Sequence, residues 1–138
     1  MIGLDTNVLA RYYIEDTADA ESLKQRAHAR RLIEAGTPLM VCKTVLLELE
    51  WVMRGYYGFE RAQIASALQH LLSLPHVAIE DRDAVAQALA HYLAGLDYAD
   101  ALHHASYRQC QAMVSFDAKK FAARATRLGL LPGIRVPR

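Results

Sequence analysis

Four acidic residues stand where a carboxylate has no obvious structural task. They are Asp5, Glu48, Asp100 and Asp117. Carboxylate oxygens are the hard ligands that Mg²⁺ takes in proteins. A metal ion held by such ligands can activate a water molecule for the hydrolysis of phosphate esters. We therefore expect the fold to bring these four acids together around a divalent metal ion.

Asp5 and Asp117 each follow a short apolar run that predicts a strand, and each precedes a predicted helix. A structural role is available for both, because Asp is a favoured helix N-cap worth about 1 kcal/mol. Lys120 could also pair with Asp117. Ligands of open parallel sheets, however, bind beyond the carboxyl ends of the strands. Thr6 or Asn7 could cap the first helix while Asp5 faces that cleft, so both interpretations stay open.

Glu48 and Glu50 lie two positions apart on one predicted helix and so project toward nearly opposite faces. Arg54 follows Glu50 by four residues, a favourable spacing for an exposed ion pair. Glu48 has no cation within one helical turn and lies among leucines and valines, which predicts a partly buried carboxylate. Because such a group is costly without a partner, it needs either a distant Arg or Lys or a metal-binding or catalytic role. Thr44, one turn earlier, should point into the same space.

Asp97 and Asp100 have the spacing of a capping box, with Asp97 as the N-cap. This arrangement explains Asp97 fully and Asp100 less well, because Glu or Gln is the usual residue at the later position. The two carboxylates share a face and repel each other unless a cation lies between them or one takes up a proton. His103 could reach the same region, although a surface position is the simpler interpretation.

The composition is that of an ordinary globular chain. Its 138 residues suffice for one domain with a core, and 53% of them are hydrophobic. No apolar run approaches the ~20 residues of a membrane helix and no secretory signal is visible, so we expect a cytoplasmic protein without membrane association. Cys42 and Cys110 form no metal or disulfide pattern. If Asp97 and the four acids gather in one cleft, ten acids remain against sixteen Lys and Arg, a surplus that attracts phosphates.

Strands and helices alternate along the chain, which predicts a parallel sheet covered by helices on both faces. The predicted strands are Met1–Leu4, which we expect to be buried, Leu39–Cys42, Val77–Ile79, Ala112–Val114 and Ile134–Val136. The predicted helices are Val8–Ile14, Ala18–Ala35, Val45–Arg54, Arg61–Leu74, Asp81–Ala94, Tyr98–Gln109 and Asp117–Leu128. No linker or internal repeat is visible, so residues 1–138 are predicted to form a single α/β domain.

With these residues in place, the chain resembles the PIN-domain ribonucleases, and specifically the VapC-type toxins of type II toxin–antitoxin systems. The segments that carry the resemblance are Ile2–Leu9 (IGLDTNVL), Thr44–Val52 (TVLLELEWV), Asp97–Leu102 (DYADAL) and Ser115–Asp117 (SFD). They occur in the family's order, and the first and third are specific in combination. Ser115 stands where the family often has Thr, but it keeps the hydroxyl group.

The resemblance implies a three-layer α/β/α sandwich with a mainly parallel sheet of four or five strands. It also implies an acidic site that holds Mg²⁺ or Mn²⁺ and cleaves RNA phosphodiester bonds. Asp5 and Asp100 would be the principal metal ligands, and Glu48 and Asp117 would complete the catalytic quartet. The auxiliary residues would be Asp97, Thr6, Asn7, Thr44 and Ser115.

The same resemblance implies an RNA substrate, such as tRNA or another structured RNA. It also implies a small cognate antitoxin, often with an arginine that occludes the site, and a homodimer. The aromatic residues are interpreted as core or interface side chains rather than base-stacking platforms: Tyr12, Tyr13, Trp51, Tyr56 and Tyr57. Two alternatives stay open. One is a metal-free acidic cleft that docks a basic partner, and the other is a housekeeping metal-dependent nuclease or phosphatase.

Overall fold

Helices and parallel strands alternate along the chain, as the sequence predicts. The computed structural model describes all residues from 1 to 138. The strands are β1 (Ile2–Gly3), β2 (Leu39–Val41), β3 (Val77–Ile79), β4 (Ala112–Val114) and β5 (Gly133–Arg135). All of their pairings are parallel, with β1, β2 and β3 in one sheet and β4 and β5 in another. The predicted α/β fold class is therefore confirmed. Contacts along the chain define two compact units, residues 1–82 and 83–138.

The first unit is built on the three-stranded sheet, with β2 at its centre. Residues 39 and 41 of β2 are buried and residue 40 is half-buried, and β3 repeats this alternation. β1 differs, because Ile2 and Gly3 are both exposed and burial begins only at Leu4. The prediction of a buried first strand is wrong for a physical reason: β1 is short and pairs on one side only.

Four helices complete the first unit. They are α1 (Thr6–Tyr13), α2 (Ala20–Glu34), α3 (Lys43–Trp51) and α4 (Arg61–Ser73). Their inner faces supply most of this unit's core: Leu9, Ile33, Leu46, Leu49, Ile64, Leu68 and Leu71 are each at most 2% exposed. The helix predicted to end at residue 54 continues past that point, because α3 is followed directly by a π-helical turn, Val52–Tyr56. Gly58, at a φ of 68° that only glycine adopts readily, follows this turn.

The second unit contains most of α5 (Arg82–Leu93), then α6 (Tyr98–Ser106), a second π-helical turn (Ala118–Ala122) and α7 (Ala123–Arg127). Its core includes Tyr92 and Tyr98, whose rings meet edge to face with centroids 5.3 Å apart. His104 is also fully buried, and its Nε2 lies 2.8 Å from the carbonyl oxygen of Pro132. Since a buried polar group needs a partner, this bond ties α6 to the segment before β5.

Two bulk predictions can be compared with the fold. None of the helices combines the length and the apolar character that crossing a membrane requires. Cys42 and Cys110 are both free thiols, as the sequence predicts. The pKa of Cys42 is lowered, chiefly by a hydrogen bond with the Thr44 hydroxyl.

Candidate active site

Asp5 ends β1 and begins α1, where it occupies the N-cap position. Its Oδ1 accepts a hydrogen bond of 2.8 Å from the backbone N–H of Thr6, and its side chain is exposed. An N-cap side chain more often accepts from the second or third amide of the helix. Here it accepts from the first, and its other oxygen has no partner in the protein. The cap interpretation is therefore right, and it leaves one oxygen of Asp5 available to a ligand.

Thr6 links Asp5 to Glu48. The Thr6 side chain is buried, and its hydroxyl donates a short hydrogen bond to Oε1 of Glu48. The prediction that Glu48 is partly buried is wrong, because its side chain is exposed. No Arg or Lys pairs with it, and its partner is a hydroxyl from a neighbouring helix. This bond fixes the Glu48 carboxylate beside the start of α1.

Glu50 is the buried glutamate of α3. It is 2% exposed, and the Arg54 Nε lies 2.9 Å from its Oε2. The predicted ion pair is confirmed, but the prediction that it is exposed is wrong for the carboxylate. α3 turns Leu46, Leu49 and Glu50 toward the core and leaves Glu48 outside. Burying a charged carboxylate is costly, and the buried carboxylate, that of Glu50, is the one with an arginine four residues later.

A cavity of about 560 Å³ opens around these residues of the first unit. Its lining comprises Asp5, Thr6, Asn7, Ala10, Arg11, Asp16, Asp19, Ser22, Glu48, Trp51, Val52, Tyr56 and Tyr57. Thr44, which was expected to face the same space, is not among them, and its hydroxyl lies 3.2 Å from the Cys42 sulfur. We refer to this cavity as the α1–α3 pocket.

The second unit contains the other acids. Asp97 is the N-cap of α6, and its Oδ2 accepts from the Asp100 N–H at 3.2 Å, which confirms the capping role. Asp100 is half-buried. Burial, followed by the charges of Asp97 and Asp117, raises the pKa of Asp100, while His103 and Arg124 lower it. The expectation that crowded like charges raise a pKa is therefore confirmed.

Asp117 follows β4 and is the N-cap of the second π-helical turn. Its Oδ1 accepts from the backbone N–H of Lys120 at 3.0 Å, so the predicted pairing with Lys120 uses the main chain rather than the ammonium group. The Asp117 N–H in turn donates to Oγ of Ser115 at 3.1 Å. The Ser115 hydroxyl thus helps to shape the turn that presents Asp117.

The predicted site residues fall into two sets. Asp5, Thr6, Asn7 and Glu48 lie together in the first unit, and Asp97, Asp100 and Asp117 lie together in the second. No group of three or more His, Cys, Asp or Glu side chains is arranged to hold a metal ion. Mg²⁺ is commonly held by one or two carboxylates together with waters and substrate phosphate, so it does not require such a group. The carboxylate oxygens of Asp97, Asp100 and Asp117 and the raised pKa of Asp100 fit a divalent ion of this kind.

The aromatic residues after Glu48 lie at the surface. Trp51 is 60% exposed and Tyr56 is 75% exposed, so of the two predicted environments, core or interface, neither side chain lies in the core. Both line the α1–α3 pocket beside Glu48. One signal was present in the sequence: Trp51 follows Glu48 by three residues, a spacing that places two helical side chains next to each other.

Comparison with known proteins identifies the class of protein that this fold and these acids define. A model of the PIN domain family matches residues 2–126, so the match continues across the boundary between the two units. The chain therefore belongs to the PIN domain family, whose members are typically nucleases that use divalent metal ions. Searches of curated proteins and of solved structures found no significant match. The family resemblance is confirmed, whereas the toxin subclass and the single-domain organisation stay predictions.

Proposed function

We propose that this PIN-domain protein is a metal-dependent endoribonuclease that hydrolyses RNA phosphodiester bonds as the toxin of a type II toxin–antitoxin pair. The observation that supports it most is the state of Asp100. This carboxyl group is half-buried, and its burial, followed by the charges of the nearby Asp97 and Asp117, raises its pKa. Crowding of this kind is unfavourable in the protein alone and is relieved by a bound cation.

Asp5 and Asp100 are the carboxylates that would hold the metal ion, Mg²⁺ or Mn²⁺. When bound, such an ion supplies a water molecule of lowered pKa and offsets the negative charge that develops on the phosphate. Asp5 offers an exposed oxygen that the helix cap does not use. Asp97 supports Asp100 by accepting its backbone N–H and so holding the first turn of α6.

The remaining acids would act on the attacking water and on the substrate. Glu48, held in place by the Thr6 hydroxyl, orients the water or accepts its proton. Asp117, on the turn shaped by Ser115, completes the acidic surface of the second unit. Asn7 and Thr44 are auxiliary residues, and Asn7 can bind the substrate from the pocket lining.

The nuclease assignment is tested by measuring RNA cleavage by the purified protein with and without Mg²⁺ or Mn²⁺. We expect cleavage only with the metal, and we expect Asp5→Asn and Asp100→Asn to abolish it. Asp83→Asn is the matched control, because Asp83 is an exposed acid in the first turn of α5. Cleavage that survives both active-site substitutions would falsify the assignment of these two ligands.

The toxin assignment has a separate test. Expression of the protein should stop bacterial growth, and co-expression of a small protein encoded directly upstream should restore it. Asp100→Asn should be harmless when it is expressed alone. Cleavage in vitro without any toxicity in cells would instead favour a housekeeping nuclease.

A metal-free binding module is the candidate of a different class, since an acidic surface can also dock a basic protein. Thermal unfolding separates the two, because a ligand that binds only the folded state raises the melting temperature. The nuclease should be stabilised by Mg²⁺ or Mn²⁺. An interaction module should respond to an arginine-rich peptide and not to either metal.

A homodimer is part of the same proposal. The rings of Tyr12 and Tyr13 meet with centroids 4.9 Å apart, and the Tyr13 hydroxyl lies 2.8 Å from Nδ1 of His70. This half-exposed aromatic cluster offers a contact surface for a second copy. Light scattering should give the dimer mass, and a monomer at high concentration would remove this part of the proposal.

A further inference from the structure

The α1–α3 pocket has an aromatic wall, formed by Trp51, Tyr56 and Tyr57, beside the carboxylate of Glu48. Trp51 and Tyr56 are two of the most exposed large aromatic side chains in the chain. The tyrosine rings meet with centroids 4.9 Å apart, and the Tyr57 hydroxyl donates to Oδ2 of Asp16 at 3.4 Å. Tyr57 is therefore anchored to the pocket wall, while Trp51 and Tyr56 present ring surface to solvent.

The π-helical turn Val52–Tyr56 is what aligns this wall. Its hydrogen bond runs from the N–H of Tyr57 to the carbonyl of Val52, five residues back, at 3.2 Å. A π turn advances each residue less far around the axis than an α turn does. The extra residue keeps Tyr56 and Tyr57 on the side of the helix where Glu48 and Trp51 lie. π-Helical turns are frequently found at functional sites.

The charges of the pocket describe the ligand that it suits. Four carboxylates and one guanidinium, that of Arg11, line it. Two of the acids already accept local hydrogen bonds, since Asp16 and Asp19 each accept from backbone amides of nearby residues. Such a lining repels a free phosphate and offers acceptors to a neutral group with N–H donors. Aromatic rings and carboxylate acceptors together match a nucleobase that carries an amino group.

We propose that the α1–α3 pocket binds one unpaired nucleobase of the RNA substrate, stacked on Trp51 and Tyr56, and that it favours cytosine, adenine and guanine over uracil. These three bases carry an exocyclic amino donor, whereas uracil presents a carbonyl oxygen in that place. The inference rests on the proposed function and deepens it by naming the kind of nucleobase that the pocket selects. Trp51 follows Glu48 by one helical turn, so their Cβ atoms lie about 5–6 Å apart. A base on Trp51 therefore belongs to a nucleotide close to the scissile phosphate.

Trp51 is the only tryptophan in the chain, so its fluorescence reports binding directly. The first experiment titrates the wild-type protein, without metal, with cytidine, adenosine and uridine. These nucleosides carry no phosphate, so the result depends neither on metal binding nor on cleavage. We expect cytidine and adenosine to quench the fluorescence at lower concentration than uridine. Quenching by none of them, or equal quenching by uridine, overturns the inference.

The second experiment measures Mg²⁺-dependent cleavage of single-stranded RNA by Trp51→Ala and by Trp51→Phe, which keeps an aromatic ring. Loss of one base stack should raise KM by roughly 5- to 150-fold in Trp51→Ala and leave kcat nearly unchanged. Trp51→Phe should recover most of the affinity, and Tyr56→Ala should show a smaller rise in KM. Unchanged KM in both alanine variants overturns the inference while leaving the nuclease proposal intact. Absence of metal-dependent cleavage in the wild type overturns the nuclease proposal instead.

A protein partner is the competing occupant of the aromatic wall. If the wall docks an antitoxin, Trp51→Ala should release the antitoxin and leave the KM for RNA unchanged. That pattern, measured by co-purification alongside the cleavage assay, also overturns the nucleobase assignment.

Discussion

The two units of the chain hold their acids in opposite electrostatic settings. The first unit has nine Lys and Arg against eleven Asp and Glu, and the second has seven against four. Yet the acids of the net-negative first unit are well compensated, because Glu50 pairs with Arg54 and Glu48 accepts from the Thr6 hydroxyl. Asp100, in the net-positive second unit, is the carboxyl group whose pKa is raised. Net charge therefore says little about an individual carboxylate, whereas burial and the nearest partners decide its state.

The second unit also concentrates exposed cations near its C-terminal end. Residues 118–138 contain no acid, and their six cations are all exposed: Lys119, Lys120, Arg124, Arg127, Arg135 and Arg138. The first unit offers an aromatic and acidic pocket, so the two units present different chemistry to a nucleic acid. A base suits the first surface, and a phosphate backbone suits the second.

Removing the charge of Asp100 should give the largest effect. Asp100→Asn should lower metal-dependent RNA cleavage by at least about 100-fold. It should also raise the melting temperature of the metal-free protein, because the cost of burying the Asp100 charge and the repulsion by Asp97 and Asp117 both disappear. Asp5→Asn should lower cleavage without raising the melting temperature, since the Asp5 carboxylate already accepts a hydrogen bond from the Thr6 N–H. Equal melting temperatures for Asp100→Asn and wild type would remove the contrast between the two units.

Glu50→Gln should destabilise the fold more than Glu48→Gln. Glu50 is buried against Arg54, and loss of a charged hydrogen bond at such a position costs about 1–3 kcal/mol. Glu48 is exposed, and a glutamine there can still accept the Thr6 hydroxyl, so we expect a change within about 0.5 kcal/mol. Urea unfolding of the two variants measures the difference. A larger loss for Glu48→Gln would reverse our interpretation of α3.

The exposed cations of the second unit should contribute to RNA affinity. Replacing both Lys119 and Lys120 by Ala should weaken RNA binding and flatten its dependence on salt, by about 0.7 in the log–log slope for each lost phosphate contact. The matched control replaces Lys24 and Arg31, two exposed cations of α2 in the first unit. Fluorescence anisotropy across a salt series measures both slopes. Equal effects of the two double variants would mean that the second unit has no special role in binding the backbone.

The smallest effect concerns His91 in the second unit. Burial, with a further contribution from His104, lowers its pKa below the ordinary value of 6.5. The folded state therefore binds this proton more weakly than the unfolded state does. Stability from this group is complete above pH 6.5 and falls as the pH drops below that value. Unfolding at several pH values should show a shallower loss for His91→Gln, while His103→Gln, at an exposed position, should follow the wild type.

Local sequence patterns located the elements well. Strands β3 and β4 have the predicted bounds, because a short apolar run between polar turns is long enough for a strand but too short for a helix. Helix caps could also be predicted from nearby residues. Asp97 caps α6 because an N-cap carboxylate needs only a backbone amide in the first turn of the same helix. The candidate acids were found for the same reason, since each breaks a pattern visible within a few residues.

The errors arose where the outcome depends on distant parts of the chain. Two glutamates two positions apart predict opposite faces, and nothing local says which face the rest of the fold will cover. The packed fold buries Glu50 and leaves Glu48 exposed. The hydrogen-bond partner of Glu48 is the hydroxyl of Thr6, forty-two positions earlier in the chain. The π-helical turn that follows α3 also depends on packing, because the local pattern predicted only an α-helix there.

The sequence by itself determined that this is an α/β chain of the PIN domain family with acids at its strand ends and helix starts, because periodicity, caps and motifs act over a few residues. Only the tertiary structure decided which carboxylates are buried, paired or exposed. Burial and partnership are properties of neighbours in space, and in Glu48 and Glu50 they are assigned in the opposite way from what the neighbours in sequence predict.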